Sequence, residues 1–127
     1  MSLTKILLLD DKDTTILANK LAGLLTELQI PGLQTDRGNT ADPGLLTAFR
    51  HSLYDLVLVP TGIDEDGSID LQQIRERHFG LIAGYGLTPS STSRYDGFLD
   101  TPELMRSENR SVYLKVWLDS LRPRYLN

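Results

Sequence analysis

The sequence predicts an α/β protein, a doubly wound five-stranded parallel sheet of (βα)5 type, and three observations carry that expectation. Short β-type runs alternate with helix-period segments along the whole chain, the rhythm of a parallel sheet covered by helices on both faces. Two of the runs, Ile6 to Leu9 and Leu56 to Val59, are apolar at every position, as strands buried between two layers are. The chain has 127 residues, 40% hydrophobic and 24% charged, which suffices for one core and is short for two.

Lys5 to Asp10 reads as the first strand. Asp13 or Thr14 then caps a helix whose Leu17, Leu21, Leu24 and Leu28 recur at i, i+4, i+7 and i+11, with Gly23 weakening it slightly and Pro31-Gly32 ending it. Leu33 to Asp36 is a short second strand, and Arg37 to Asp42 a polar loop. Pro43 suits the start of a second helix with Leu45, Leu46, Phe49 and Leu53 on its buried stripe. Asp55 to Val59 is the central strand, stopping at Pro60, where a missing N–H is tolerable because the ladder ends.

Thr61 to Gly67 is an acidic loop and Ile69 to Arg77 the third helix. Leu81 to Ala83 and Gly97 to Leu99 are the fourth and fifth strands. The stretch between them, Gly84 to Asp96, is rich in Gly, Ser and Thr and has room for one helical turn or none, so the fourth helix is shortened. The last helix runs from a cap at Ser107 to Leu121, with Tyr113, Leu114, Trp117, Leu118 and Leu121 inward.

Thirteen Lys plus Arg against seventeen Asp plus Glu give a formal net charge of −4, which argues against direct binding to nucleic acid or to an anionic membrane. Without cysteine there is no disulfide, thiolate nucleophile or Cys-ligated metal, and a cytoplasmic location is the default expectation. The first apolar run stops at Asp10, too short for an exported or membrane-spanning segment. The chain reads as a single domain over residues 1–127, a reading that also allows excision from a longer polypeptide.

An open parallel sheet works at the carboxyl ends of its strands, which directs attention to Asp10-Asp11, Pro60-Thr61, Gly84-Tyr85 and Asp100-Thr101. Here the chain resembles the receiver domain of two-component response regulators over nearly its whole length. The strongest matches are the opening Lys-Ile-Leu-Leu-Leu-Asp-Asp and the later Tyr-Asp-Leu-Val-Leu-Val. The resemblance implies the flavodoxin-like receiver fold and a role in signal transduction through a phosphorelay. In that family two acids after the first strand hold Mg²⁺, an Asp after the third takes a phosphoryl group from a histidine kinase, and a hydroxyl after the fourth and a Lys after the fifth bind it.

Asp10 and Asp11 match the acid pair, Pro60 the phosphoacceptor, Tyr85 the hydroxyl position, Thr101 the lysine and Phe98 the switch aromatic. Pro102 matches the Pro that follows the family's Lys. Proline has no oxygen nucleophile, so an acyl phosphate cannot form at that position. Thr101 removes a cation that phosphoryl transfer uses. With the third carboxylate gone, Asp10 and Asp11 should bind Mg²⁺ only weakly. The expectation is a degenerate pseudo-receiver: no enzyme, no cofactor, and a function in protein–protein interaction.

Its partner would be another protein, a neighbouring domain or a second copy of the chain. The interaction surface is expected around Phe98, Asp100, Glu103, Leu104 and Met105, where a shortened fourth helix would uncover apolar area.

Two other readings stay open. Asp64 or Asp66 in the acidic loop could replace the missing phosphoacceptor, making the receiver functional. Alternatively Asp11-Lys12-Asp13-Thr14-Thr15 fits the start of a small haloacid-dehalogenase-like phosphatase, with Asp11 as nucleophile and Asp13 as general acid, although no distal acid pair follows the fourth strand. Asp10-Asp11 themselves read equally as a metal pair or as a strand end leading into a helix cap. Gly84-Tyr85-Gly86 reads as a strand-end turn before a phosphate-binding one, Asp64, Glu65, Asp66 and Asp70 as a solvated rim before a Ca²⁺ loop, and His51 and His78 as helix-end groups meeting carbonyls.

Overall fold

The chain builds a five-stranded, all-parallel sheet in the order β2-β1-β3-β4-β5, the flavodoxin-like α/β arrangement. The structure, a computed structural model, describes residues 5–42, 44, 45, 47, 54–61, 71–78, 80–87 and 95–121. The strands are β1 (Lys5–Asp10), β2 (Gln34–Asn39), β3 (Leu56–Pro60), β4 (Leu81–Gly86) and β5 (Gly97–Asp100). Among the described residues the helices are α1 (Thr15–Glu27), α2 (Leu71–Arg77), α3 (Thr101–Arg106) and α4 (Arg110–Ser120).

The alternation of side chains along each strand sorts the core into two layers. Ile6, Leu8, Leu56, Leu58, Ala83, Tyr85 and Leu99 pack with Ala18, Leu21 and Leu25 of α1, Leu104 of α3, and Leu114 and Leu118 of α4. Leu7, Leu9, Val57, Val59 and Ile82 face the other way, onto Leu71 and Ile74 of α2 and onto Leu45. Both faces of the sheet are therefore covered, which is why β1, β3 and β4 are buried almost throughout.

Several boundaries differ from the sequence reading. The α1 stripe centres on Ala18, Leu21 and Leu25, with Leu17, Leu24 and Leu28 only flanking it. The helix also stops before Pro31, because Gln29 takes a left-handed φ of 51° and breaks the hydrogen-bond run. Strand β2 continues through Asn39, where a polar loop was expected. It is an edge strand, and Leu8, Leu9 and Asp10 pair with Arg37, Gly38 and Asn39; an edge tolerates polar residues that a central strand would not.

Strand β4 runs three residues past Ala83, to Gly86, because Val59 and Pro60 continue the ladder against Gly84 and Tyr85. The segment after β5 splits into two helices. Asp100 accepts from Glu103 N at 3.1 Å and Pro102 occupies the first turn of α3. Ser107 is the extended residue closing α3, with ψ 138°, so it is not the cap of the last helix. That cap is Asn109, whose Oδ1 accepts from Val112 N at 3.1 Å.

The second helix after Pro43, with Leu46, Phe49, His51 and Leu53, lies wholly or mainly outside the described residues, as do the acidic loop with Asp64, Glu65, Asp66 and Asp70 and most of the stretch assigned to the shortened fourth helix.

Candidate functional site

Order β2-β1-β3 means the chain leaves β1 toward one side of the sheet and later returns on its other side. The carboxyl ends of β1 and β3 flank the crevice this creates, the usual ligand position in such folds. The register tells which residues meet there. Leu8 pairs with Leu58, and continuing that register sets Asp10 level with Pro60. Pro60 in turn pairs with Tyr85, and Tyr85 with Leu99. Asp10, Pro60 and Tyr85 thus stand in one row on the sheet face covered by α1 and α4, while Asp11 belongs to the alternate set.

Each polar group in the row has a partner within the chain. Asp10, buried at 8% exposure, receives Arg37 Nη2 on its Oδ2 at 3.2 Å, and Arg37 Nη1 donates to Asn19 Oδ1 at 3.1 Å. Asp11 organises the entry to α1. Its Oδ1 accepts from Asp13 N and from Thr14 Oγ1, both at 2.9 Å, and its backbone N donates to Thr14 Oγ1 at 2.9 Å. This reciprocal Asp11–Thr14 pair closes the turn outside the helix, which is why Thr14 stands at the N-cap position without a side-chain bond to the helix itself.

Tyr85 dominates the crevice. Its ring is fully buried, and its hydroxyl reaches from β4 past the end of β3 to donate to Leu9 O of β1 at 2.6 Å. Burial pushes its phenol up to about 12; the neighbouring Thr14 hydroxyl works the other way, and the charges of Asp10 and Asp11 add to the rise. A side chain of this size therefore fills the space where a small hydroxyl residue would leave room for a ligand. Beside it, Thr61 N donates to Tyr85 O at 3.1 Å, the regular next bond of the β3–β4 ladder. Thr61 Oγ1 lies 2.9 Å from Tyr85 O and 3.1 Å from Leu87 O.

The glycines flanking Tyr85 have packing reasons. A Cβ at Gly84 would stand 2.7 Å from the Phe98 ring and 3.1 Å from that of Tyr95. Gly86 has φ +126° and lies directly against Thr61 Oγ1. Gly84-Tyr85-Gly86 is therefore strand and not an open turn.

A divalent ion fits these residues poorly. Mg²⁺ asks for several oxygen ligands in octahedral array, whereas Asp10 already faces Arg37, Asp11 Oδ1 carries two donors and Pro60 offers no side-chain oxygen. Among the described residues no group of three His, Cys, Asp or Glu side chains is placed to hold a metal.

At the β5 end, Thr101 is 4% exposed and opens α3 without facing solvent. Of the expected interaction surface, Leu104 must be withdrawn, because it is fully buried against the α1 and α4 layer. Asp100 is the cap of α3, Glu103 is exposed, and Met105 is half-buried. Phe98 is half-buried, its ring meeting Tyr95 edge-on at 5.7 Å. His78 meets a carbonyl, as a helix-end histidine should, but the carbonyl is that of Leu81 at the start of β4, at 3.0 Å.

The sequence reading missed Arg37, which it placed in a polar loop. Arg37 carries no local signal, since its role depends on β2 extending alongside Asp10. Comparison of the chain with protein-family models, with curated proteins and with solved structures finds no match.

Proposed function

We propose that the protein is a receiver-like signalling module that works by protein–protein interaction and is not switched by phosphorylation. The observation that carries this reading is the row at the strand ends. Pro60, with no nucleophilic oxygen, pairs with Tyr85, whose buried ring and 2.6 Å bond to Leu9 O occupy the crevice. Arg37 on Asp10 and the Asp11–Thr14 pair further support it, because they complete the acids internally. The engaged Asp11 carboxylate also speaks against its use as a phosphatase nucleophile.

Incubation with acetyl phosphate and Mg²⁺, followed by intact mass and by released phosphate, tests the reading. No mass gain and no turnover are expected. A stable gain of one phosphoryl group that Asp64→Asn or Asp66→Asn abolishes would replace the proposal with a working receiver, and catalytic phosphate release would replace it with an enzyme.

A further inference from the structure

Asp10 and Asp11 set two adjacent carboxylates at the end of β1, and both residues are buried, at 8% and 5% exposure. Their charges act on the Tyr85 phenol, as does that of Arg37 in the opposite sense, so the four groups share one electrostatic site. Buried negative charge is costly unless a cation meets it. The donors on Asp11 Oδ1 are neutral, Asp13 N and Thr14 Oγ1. Among the described residues, Arg37 is the cationic side chain that comes within 4.0 Å of this acid pair.

The sheet explains how Arg37 comes to be there. It pairs with Leu8 in the β1–β2 ladder, and Leu8 packs on the α1 side. Paired residues of neighbouring strands project to the same face, so Arg37 enters on that side as well. Asp10 stands two residues further along β1, about 7 Å, which an arginine side chain spans. The guanidinium is held at two points: Nη2 donates to Asp10 Oδ2 at 3.2 Å, and Nη1 donates to Asn19 Oδ1 of α1 at 3.1 Å. It is thus tethered between β1 and α1, although its side chain is 36% exposed.

We propose that Arg37 is the built-in cation of this crevice, a tethered guanidinium that neutralises Asp10 and thereby shuts the acid pair against divalent ions from solution. The contact is autoinhibitory. A free ion would have to displace a cation that the fold keeps at high effective concentration beside the carboxylate. It would also strand the guanidinium beside a second positive charge. The inference goes beyond the proposed function, which concerns phosphoryl chemistry at Pro60 and Tyr85, and it stands or falls separately from the signalling reading.

Urea unfolding of the intact chain in NaCl and in MgCl₂ at matched ionic strength tests this. Wild type should give the same curve in both salts. Arg37→Met keeps an apolar stem and removes the charge. In NaCl it should raise the unfolding equilibrium constant by about ten-fold, less than the loss of a fully buried pair would cause. Mg²⁺ at about 10 mM should recover about three-fold of that, by binding the folded chain alone. Arg37→Lys retains a positive charge and should stay indifferent to Mg²⁺, and Asp10→Asn added to Arg37→Met should abolish the response. Mn²⁺ line broadening in the wild type needs no variant: signals of Asp10 and Asp11 should suffer no more than those of exposed Glu103 and Glu108. A wild type stabilised by Mg²⁺, selective broadening at Asp10 and Asp11, an Arg37→Met chain that ignores Mg²⁺, or a response that survives Asp10→Asn would each overturn the proposal. The mass gain or phosphate release that decides the signalling reading is measured independently of all four.

Discussion

If Tyr85 closes the crevice, its neutral phenol stabilises the fold, and alkaline pH is the direct perturbation. Burial moves its pKa from the ordinary 10.0 to about 12. Below pH 10 the phenol is protonated in folded and unfolded chains alike and its full contribution to stability is present. Between pH 10 and 12 the unfolded chain loses the proton first, so stability falls by about 1.4 kcal/mol per pH unit, roughly 3 kcal/mol in all, and levels off once the folded form ionises as well. Other groups titrate in the same window, so the informative quantity is the difference between wild type and Tyr85→Phe. At pH 8 the variant should be less stable by about 1 to 3 kcal/mol, because it abandons a buried bond to Leu9 O. Urea unfolding at pH 8, 9.5, 10.5 and 11.5 measures both curves. The gap should shrink by about 2 kcal/mol by pH 11.5, since phenylalanine cannot ionise. A gap that stays constant across the series would show that Tyr85 is not sealed as described, and the argument for a filled crevice would fail with it.

At the opposite end of the sheet, desolvation lowers the pKa of buried His78 from 6.5, outweighing the bond to Leu81 O and the carboxylates of Asp96 and Asp55, which raise it. Its contribution is fully present above pH 6.5 and is lost as pH falls through the folded value, so melting temperature should drop between pH 7.5 and 5 and the slope should flatten in His78→Gln. Gly80→Ala should destabilise by about 2 kcal/mol or more, because the new methyl would stand 2.7 Å from Tyr54 O and 2.9 Å from Asp55 O, both backbone atoms. Gly23→Ala has nothing within 4 Å and should stabilise α1 by about 0.5 to 1 kcal/mol; thermal melts of the two variants give opposite signs if the packing is as described. Asn109→Ala should cost about 1 kcal/mol and Ser107→Ala little, which chemical denaturation can resolve and which would be reversed if Ser107 capped the last helix.

The fold was legible where burial forces a pattern. Lys5 to Asp10 and Leu56 to Val59 must be apolar on both faces to lie between two helical layers, so their composition announces both the strand and its central place. It was only half legible at β2, where Leu33 to Asp36 reads as a short strand but Arg37 to Asn39 looks like a loop. An edge strand gains its definition from the hydrogen bonds of β1, and these impose no apolar requirement. Helix α3 was hidden for a related reason: Asp100 and Pro102 start a helix anywhere, and only the extended backbone at Ser107 shows that it stops before α4.

By itself the sequence determined the class of the fold and the identity of the residues at the strand ends, Asp10, Pro60 and Tyr85 among them. These follow from local periodicity and from counting along a strand of fixed rise. Only the tertiary structure decided what those residues do to one another. Tyr85 reaches Leu9 across 76 positions of sequence and Arg37 reaches Asp10 across 27. No local pattern specifies contacts between side chains so far apart in sequence; the parallel ladder brings them together by setting neighbouring strands about 5 Å apart in one register.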